Sequence, residues 1–160
     1  MTTTTRNILA LAIFLLVVYA VSGLGALATG PAVTGWYSTI KKPNWTPPSW
    51  LFGPVWTLLY TLMAVAAWLV WRCRDNPRRA SALWAFGLQL ALNAVWSPLF
   101  FGLHRIDLGL IDIAALWLAI LLTIFLFFRL RPAAGWLLVP YLLWCSYAAA
   151  LNFALWRLNA

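Results

Sequence analysis

Apolar residues gather in five long runs, approximately Ile8 to Ala28, Leu51 to Trp71, Ala80 to Phe101, Leu108 to Phe128 and Gly135 to Trp156, and nearly all charges fall between them. Each run is near the ~20 residues with which a helix crosses about 30 Å of hydrocarbon. None alternates as a barrel strand would, and a helix satisfies every backbone amide within its own span. The pattern predicts an all-α polytopic membrane protein, a five transmembrane helix bundle that forms one domain over residues 1–160. The odd number of spans puts the two termini on opposite sides. The longest interruption, residues 29–50, contains KKPNWTPPSW. Its three prolines remove three donors and fix three φ angles, so it is predicted to be a shaped loop.

Composition agrees with a membrane location. The 160 residues are 64% hydrophobic and 9% charged, with a mean hydropathy of +0.86; soluble domains carry about 25% charge. The net charge of +8 raises the question of nucleic acid, but the basic residues sit between apolar runs and form no nucleic-acid-binding motif, so no nucleic acid partner is expected. The first run follows Arg6, yet it is too long for the apolar core of a secretory signal. One side of the membrane receives Arg6, Arg72, Arg74, Arg78, Arg79, Arg129 and Arg131, and the other Lys41, Lys42, Arg105 and Arg157. Seven basic residues against four predict a cytoplasmic N-terminus. Cys73 and Cys145 have no metal-ligand spacing, and no metal site or disulfide is expected.

The twelve tryptophans divide in two. Trp36, Trp45, Trp50, Trp68, Trp71, Trp84, Trp136 and Trp156 lie in loops or near helix ends, as an interfacial belt requires. Trp56, Trp96, Trp117 and Trp144 lie at least a turn inside their runs, where lipid offers the indole N–H no partner. Trp56, Tyr60, Met63 and Ala67 share one stripe of the second run, and Trp144, Ala148 and Leu151 share one of the fifth, beside Asn152. Two such stripes facing each other make a slot for a planar apolar ligand. Ordinary helix packing produces the same spacing, so the pattern alone leaves both readings open.

Other polar residues have structural explanations beside functional ones. Gln89 and Asn93, with Trp96, fall near one face of the third run and suit hydrogen bonds between helices. Gly87 and Ala91 form a small-xxx-small pair that fits close helix approach and a homodimer interface; Ser22 and Ala26 form another. Asp112 is the acid inside a span, near enough to the helix N-terminus for the dipole to favour it. Asp107 is expected to cap that helix. His104, the sole histidine, is read as an exposed ring ahead of an axial haem ligand. No nucleophile is paired with a base, and no phosphate loop occurs. A binding or transport device fits better than a conventional enzyme.

Lys42-Pro43-Asn44-Trp45-Thr46-Pro47-Pro48, Gly53-Pro54-Val55-Trp56-Thr57-Leu58-Leu59-Tyr60, the stretch from Gln89 through Asn93, Trp96, Ser97 and Pro98 to Gly102, and Val139-Pro140-Tyr141-Leu142-Leu143-Trp144 occur in order. Together they resemble the translocator protein family, also called the tryptophan-rich sensory protein TspO or peripheral-type benzodiazepine receptor. The resemblance covers nearly the whole chain. It implies a five-helix fold, often dimeric, with a pocket among the helices covered by the loop after the first. It further implies porphyrins such as protoporphyrin IX and haem as ligands rather than obligatory cofactors, with cholesterol and benzodiazepine-type drugs bound by animal members. By match of residues, tetrapyrrole binding and light-dependent porphyrin breakdown fall to Trp56 and Trp144, a drug contact to Trp96, and an affinity-determining alanine to Ala148. With these the ligand-binding set is Trp45, Trp56, Tyr60, Asn93, Trp96, Trp144, Ala148 and Leu151. Lys41 and Lys42 stand at the rim to meet ligand carboxylates. The sterol pattern of animal members wants a Tyr where this chain has Phe153, between Leu151 and Arg157. That departure and the short termini imply a bacterial cell-envelope member. The expected function is a tetrapyrrole receptor or transporter linked to stress, with photo-oxidative porphyrin degradation and sterol binding as alternatives.

Overall fold

The computed structural model describes residues 2–160, which run through six helices: α1 (Thr3–Thr34), α2 (Trp36–Thr39), α3 (Phe52–Trp71), α4 (Arg79–Ser97), α5 (Ile106–Leu130) and α6 (Pro132–Asn159). Five helical segments are long and apolar enough to cross a membrane, α1, α3, α4, α5 and α6, each with its flanking turns. The described residues contain no strand. The spanning helices close into a ring, in which α1 touches α3 and α4, α3 touches α6, and α5 packs between α4 and α6. The chain therefore puts the α1 C-terminus, the α3 N-terminus, the end of α4 and the start of α5 at one end of the bundle. The α3–α4 connection and the α5–α6 turn share the opposite end with the N-terminus.

The centre is made of α3. Met63, Ala64, Ala66, Ala67 and Val70 are fully buried, and the alanines let α3 approach Leu138, Tyr141 and Cys145 of α6 closely. Polar atoms hold neighbouring helices where lipid would leave them unpaired. The Trp117 indole donates to Ser146 Oγ at 2.8 Å between α5 and α6, and the Trp68 indole donates to the Asn7 carbonyl at 2.9 Å between α3 and α1. Trp117 therefore serves packing. Large apolar side chains such as Leu16, Leu27 and Trp84 face outward, at 71%, 76% and 80% exposure. On a soluble protein so much apolar exposure would drive aggregation; around a bundle of this length it is the surface that acyl chains cover.

Several boundaries differ from those the sequence predicts. α1 continues past Ala28 to Thr34 with Pro31 inside it, because a proline in the last turn gives up one hydrogen bond and no more. The covering loop shrinks accordingly, since residues 36–39 form a turn of helix and residues 49–51 a 3₁₀ turn leading into α3. α4 ends in a wider π-type turn over Pro98–Gly102, where the Leu103 N–H reaches the Pro98 carbonyl at 2.9 Å. His104 then takes φ 55°, which reverses the chain into α5. Asp107 does not cap α5. It lies inside the first turn and accepts two hydrogen bonds from the Arg105 guanidinium, at 2.8 and 2.6 Å.

Candidate functional site

A cavity of about 540 Å³ opens at the covered end, bounded by all five spanning helices and by the segment after α1. That is within the range of small-molecule sites. Its floor is a hydrogen-bonded row. The Tyr60 hydroxyl donates to Asn93 Oδ1 at 2.5 Å, and Asn93 Nδ2 donates to the Tyr141 hydroxyl at 3.0 Å, so one amide of α4 ties α3 to α6. With both phenols engaged, the three helices are held in register at the level where the cavity ends. Above the floor stand three indoles. Trp56 is tilted against Tyr60 at 5.5 Å and edge-on to Tyr141 at 6.3 Å. Trp144, one turn before Ala148 on α6, packs edge-on to Phe52 at 5.9 Å. Trp96 is fixed by its N–H to Asn152 Oδ1 at 3.2 Å and by stacking on Phe100 at 4.9 Å. Asn152 is fixed in turn, since its amide donates to the Ile106 carbonyl at 2.9 Å.

The cover is pinned at both ends. Asn159, at the end of α6, accepts from the Lys41 N–H and donates to the Lys41 carbonyl, each at 2.9 Å. The Tyr147 hydroxyl donates to the Trp45 carbonyl at 2.8 Å. Between them, a turn from Pro43 to Thr46 is closed by the Thr46 N–H and hydroxyl on the Pro43 carbonyl, at 3.0 and 2.7 Å. Lys42 is the cation of the cavity lining. Its ammonium donates to the Ser38 and Ile40 carbonyls at 3.3 and 3.2 Å and lies over the Tyr37 ring, 4.9 Å from its centre. Burial, aided by Tyr147, raises the Tyr37 phenol above its ordinary value. Tyr37 is therefore neutral and offers Lys42 a π face rather than a counter-charge, which leaves the ammonium available to an anion.

The Tyr147→Phe, Asn159→Ala double variant removes three of these hydrogen bonds without touching the cavity wall. Cleavage by a protease added on the covered side should then rise about tenfold within residues 40–48, in line with about 1.4 kcal/mol lost from local closure. Unchanged cleavage would mean that the prolines alone hold the cover.

Trp56, Tyr60, Asn93, Trp96, Trp144, Ala148 and Lys42 all line the cavity. Three residues expected there do not. Trp45 is 46% exposed and packs edge-on against Tyr147 at 5.7 Å, outside the wall. Leu151 lies beyond the cavity in a second apolar cluster with Phe100, Phe101 and Leu155. Lys41 is held through its backbone, and adjacent residues of an extended segment face opposite ways, so Lys42 alone turns to the lining. Gly87 and Ala91 lie on the outward face of α4, and a Cβ added at Gly87 meets nothing within 4 Å. Phe153 is also outward, 48% exposed beside Trp156. His104 stacks on Trp36 at 4.5 Å and is not part of the lining.

The largest omission in the sequence reading is α1. Ser22, Gly25, Ala26 and Thr29 form one wall of the cavity. Their i, i+3, i+4, i+7 spacing is a small and polar stripe on an otherwise apolar helix, of which only Ser22 and Ala26 are read from the sequence, as a packing pair. Cys145 and Ser97 also line the cavity, between the aromatic positions already named. Among the described residues no group of three His, Cys, Asp or Glu is placed to hold a metal ion.

Residues 12–157 match the model of the TspO/MBR family. The chain is 45% identical over 155 residues to the tryptophan-rich protein TspO of Archaeoglobus fulgidus, covering 96% of this chain and 99% of the relative. It is 40% identical over 141 residues to the tryptophan-rich sensory protein of Cereibacter sphaeroides, covering 84% and 87%. It is 36% identical over 126 residues to the human translocator protein, covering 78% and 75%. Matches of this extent run through all five spanning helices and the cover, so the chain belongs to the TspO/MBR family of integral, multi-pass membrane proteins.

Proposed function

We propose that this protein is a membrane receptor or carrier for tetrapyrroles such as protoporphyrin IX and haem. The observation that carries the reading is the cavity itself, in which Trp56, Trp96 and Trp144 enclose an apolar space and a single ammonium, Lys42, stands where the lining meets the cover. A porphyrin is a flat apolar disc with two propionates on one edge. The disc suits indole faces, and the propionates suit a cation at the mouth. The names of the relatives, translocator and sensory protein, fit transport and reception alike. The charge bias favours an N-terminal end in the cytoplasm, with the cavity then opening toward the other side; a reporter fused to the N-terminus checks that orientation.

Titration with protoporphyrin IX and its dimethyl ester, followed by tryptophan quenching, tests the role of Lys42. Lys42→Gln should weaken the diacid about fivefold, as expected for loss of one partly solvated charge pair of about 1 kcal/mol, and leave the neutral ester unchanged. Equal loss for both ligands would remove the carboxylate from the reading.

A second reading, light-dependent porphyrin breakdown, draws on the placement of Trp56 and Trp144 in the same wall, with Tyr60 5.5 Å from Trp56. An excited porphyrin activates oxygen, and electron-rich indoles beside the ring are the groups it meets. Illumination of the complex under air should then give a new absorbing product that is absent in Trp56→Phe and Trp144→Phe; bleaching identical to that of free porphyrin would leave binding alone.

A further inference from the structure

The end of the bundle opposite the cover carries seven of the eleven basic residues, all arginine, and one acid, Asp75. They come from the start of α1, the α3–α4 connection and the α5–α6 turn. Among the described residues the one ion pair is Arg105 with Asp107, at the other end, so these arginines are not neutralised by carboxylates of their own chain. Positive residues near a membrane surface are common. What distinguishes these is how they are held. The guanidinium of Arg72 lies 4.7 Å from the Trp68 ring centre, that of Arg74 4.6 Å from Trp71, and that of Arg129 4.5 Å from Phe125.

Arg74 also donates to Asn7 Oδ1 at 3.5 Å, and Arg79 donates to the Trp71 carbonyl at 3.4 Å, closing the end of α3. A guanidinium held over a ring centre by cation–π attraction spends no hydrogen-bond donor on that contact. Its fork matches two oxygens of one phosphate, and less side-chain entropy is lost when they bind because the side chain is already held against the ring. A lysine at the same place would offer a mobile point charge.

The surroundings select the kind of phosphate. Arg72, Arg74 and Leu130 line an open cleft of about 470 Å³ together with Asp75, whose carboxylate pairs with neither arginine, and the Cys73 thiol lies 4.0 Å from the Leu130 carbonyl, which joins the α3 end to the α5 end. Phe125, beneath Arg129, is 52% exposed and faces the lipid. A guanidinium stacked on a lipid-facing ring sits where headgroups meet acyl chains, a place a soluble anion does not occupy. We propose that this end is a binding surface for anionic phospholipid, with Arg72, Arg74 and Arg129 gripping the headgroup phosphodiester and the acyl chains lying on the apolar flanks below.

Spin-labelled phosphatidylglycerol and phosphatidylcholine, introduced separately into phosphatidylcholine vesicles that hold the full-length protein, report the fraction of each lipid immobilised by it. The parent should hold phosphatidylglycerol about fivefold more strongly, the factor that one basic residue near a membrane surface contributes. Arg72→Gln, Arg74→Gln, Arg129→Gln together should lower that ratio at least about threefold, leaving what Arg6, Arg78, Arg79 and Arg131 contribute. The corresponding triple Lys variant, with charge and insertion signal retained, should fall between them. If the triple Gln variant does not insert, Arg129→Gln alone is compared with Arg129→Lys, with the same order expected. No preference in the parent, or a ratio left unchanged by the Gln changes, overturns the proposal. A Lys variant equal to the parent overturns the role of the stacked fork. Inorganic phosphate that abolishes the preference identifies a site for a soluble anion and overturns the assignment to lipid.

Discussion

Changing both Trp56 and Trp144 to alanine should weaken protoporphyrin IX binding by at least about a hundredfold, while helix content stays at that of the parent. The two indoles stand above the Tyr60–Asn93–Tyr141 row and both line the cavity. A buried aromatic anchor removed from a binding site typically costs about 2 kcal/mol or more, close to thirtyfold. The two side chains sit on α3 and α6 and contact different edges of the space, so the losses should largely add. Neither indole is a partner in the polar row that ties the helices, which is why the fold should persist. Trp84→Ala is the control, because Trp84 is 80% exposed on the outer face of α4; it removes equal aromatic surface and should leave affinity unaltered. Dissociation constants from absorbance of the Soret band avoid reliance on the fluorescence of the residues removed. A double variant that still binds within a few-fold of the parent would show that porphyrin does not lie between these walls.

The residues that were legible in the sequence and those that were not differ for reasons of scale. The five spans follow from one length, the thickness of hydrocarbon, and a run of about twenty apolar residues declares itself whatever the neighbours are. The stripes Trp56–Tyr60 and Trp144–Ala148 were also legible, because one turn of helix keeps two side chains on one face and at nearly one depth. Leu151 fails on depth. Seven residues beyond Trp144 it has risen about 10 Å along α6, past the cavity and into the Phe100 cluster, and nothing in a helical wheel records that rise. Met63 and Ala67 on α3 are lost in the same way on the other side of the floor, where both are fully buried. The wall made by α1 was hidden by ambiguity of a different kind, since small residues that admit a neighbouring helix also admit a ligand. The pins on the cover, Asn159 to Lys41 and Tyr147 to the Trp45 carbonyl, join residues more than a hundred positions apart and leave no local pattern.

The most damaging change to the fold itself is expected at a glycine with no part in the cavity. Gly135 lies in the first turns of α6, and a Cβ built there would come within 2.5 Å of Phe128 Cγ and 2.7 Å of Cδ1 and Cδ2 on α5. Those atoms belong to the root and body of the ring, so rotation about a side-chain bond cannot clear them without disturbing the Phe128–Trp136 contact, edge-on at 5.4 Å. The ring or the helix must move. Gly135→Ala should therefore cost about 2 to 3 kcal/mol in reversible unfolding from mixed micelles, as overpacking does. Helix propensity acts in the opposite direction, favouring alanine over glycine by up to about 1 kcal/mol, so the sign of the result decides which effect dominates. Gly87→Ala isolates that term: its added Cβ meets nothing within 4 Å, and it should be neutral or slightly stabilising. The pair Gly135→Ala with Phe128→Ala closes the cycle. If the clash is the cause, the double variant should be more stable than the sum of the single losses implies, by about 1 to 2 kcal/mol. Additive losses, or a Gly135→Ala protein as stable as the parent, would mean that α5 and α6 separate more easily at this turn than their packing indicates.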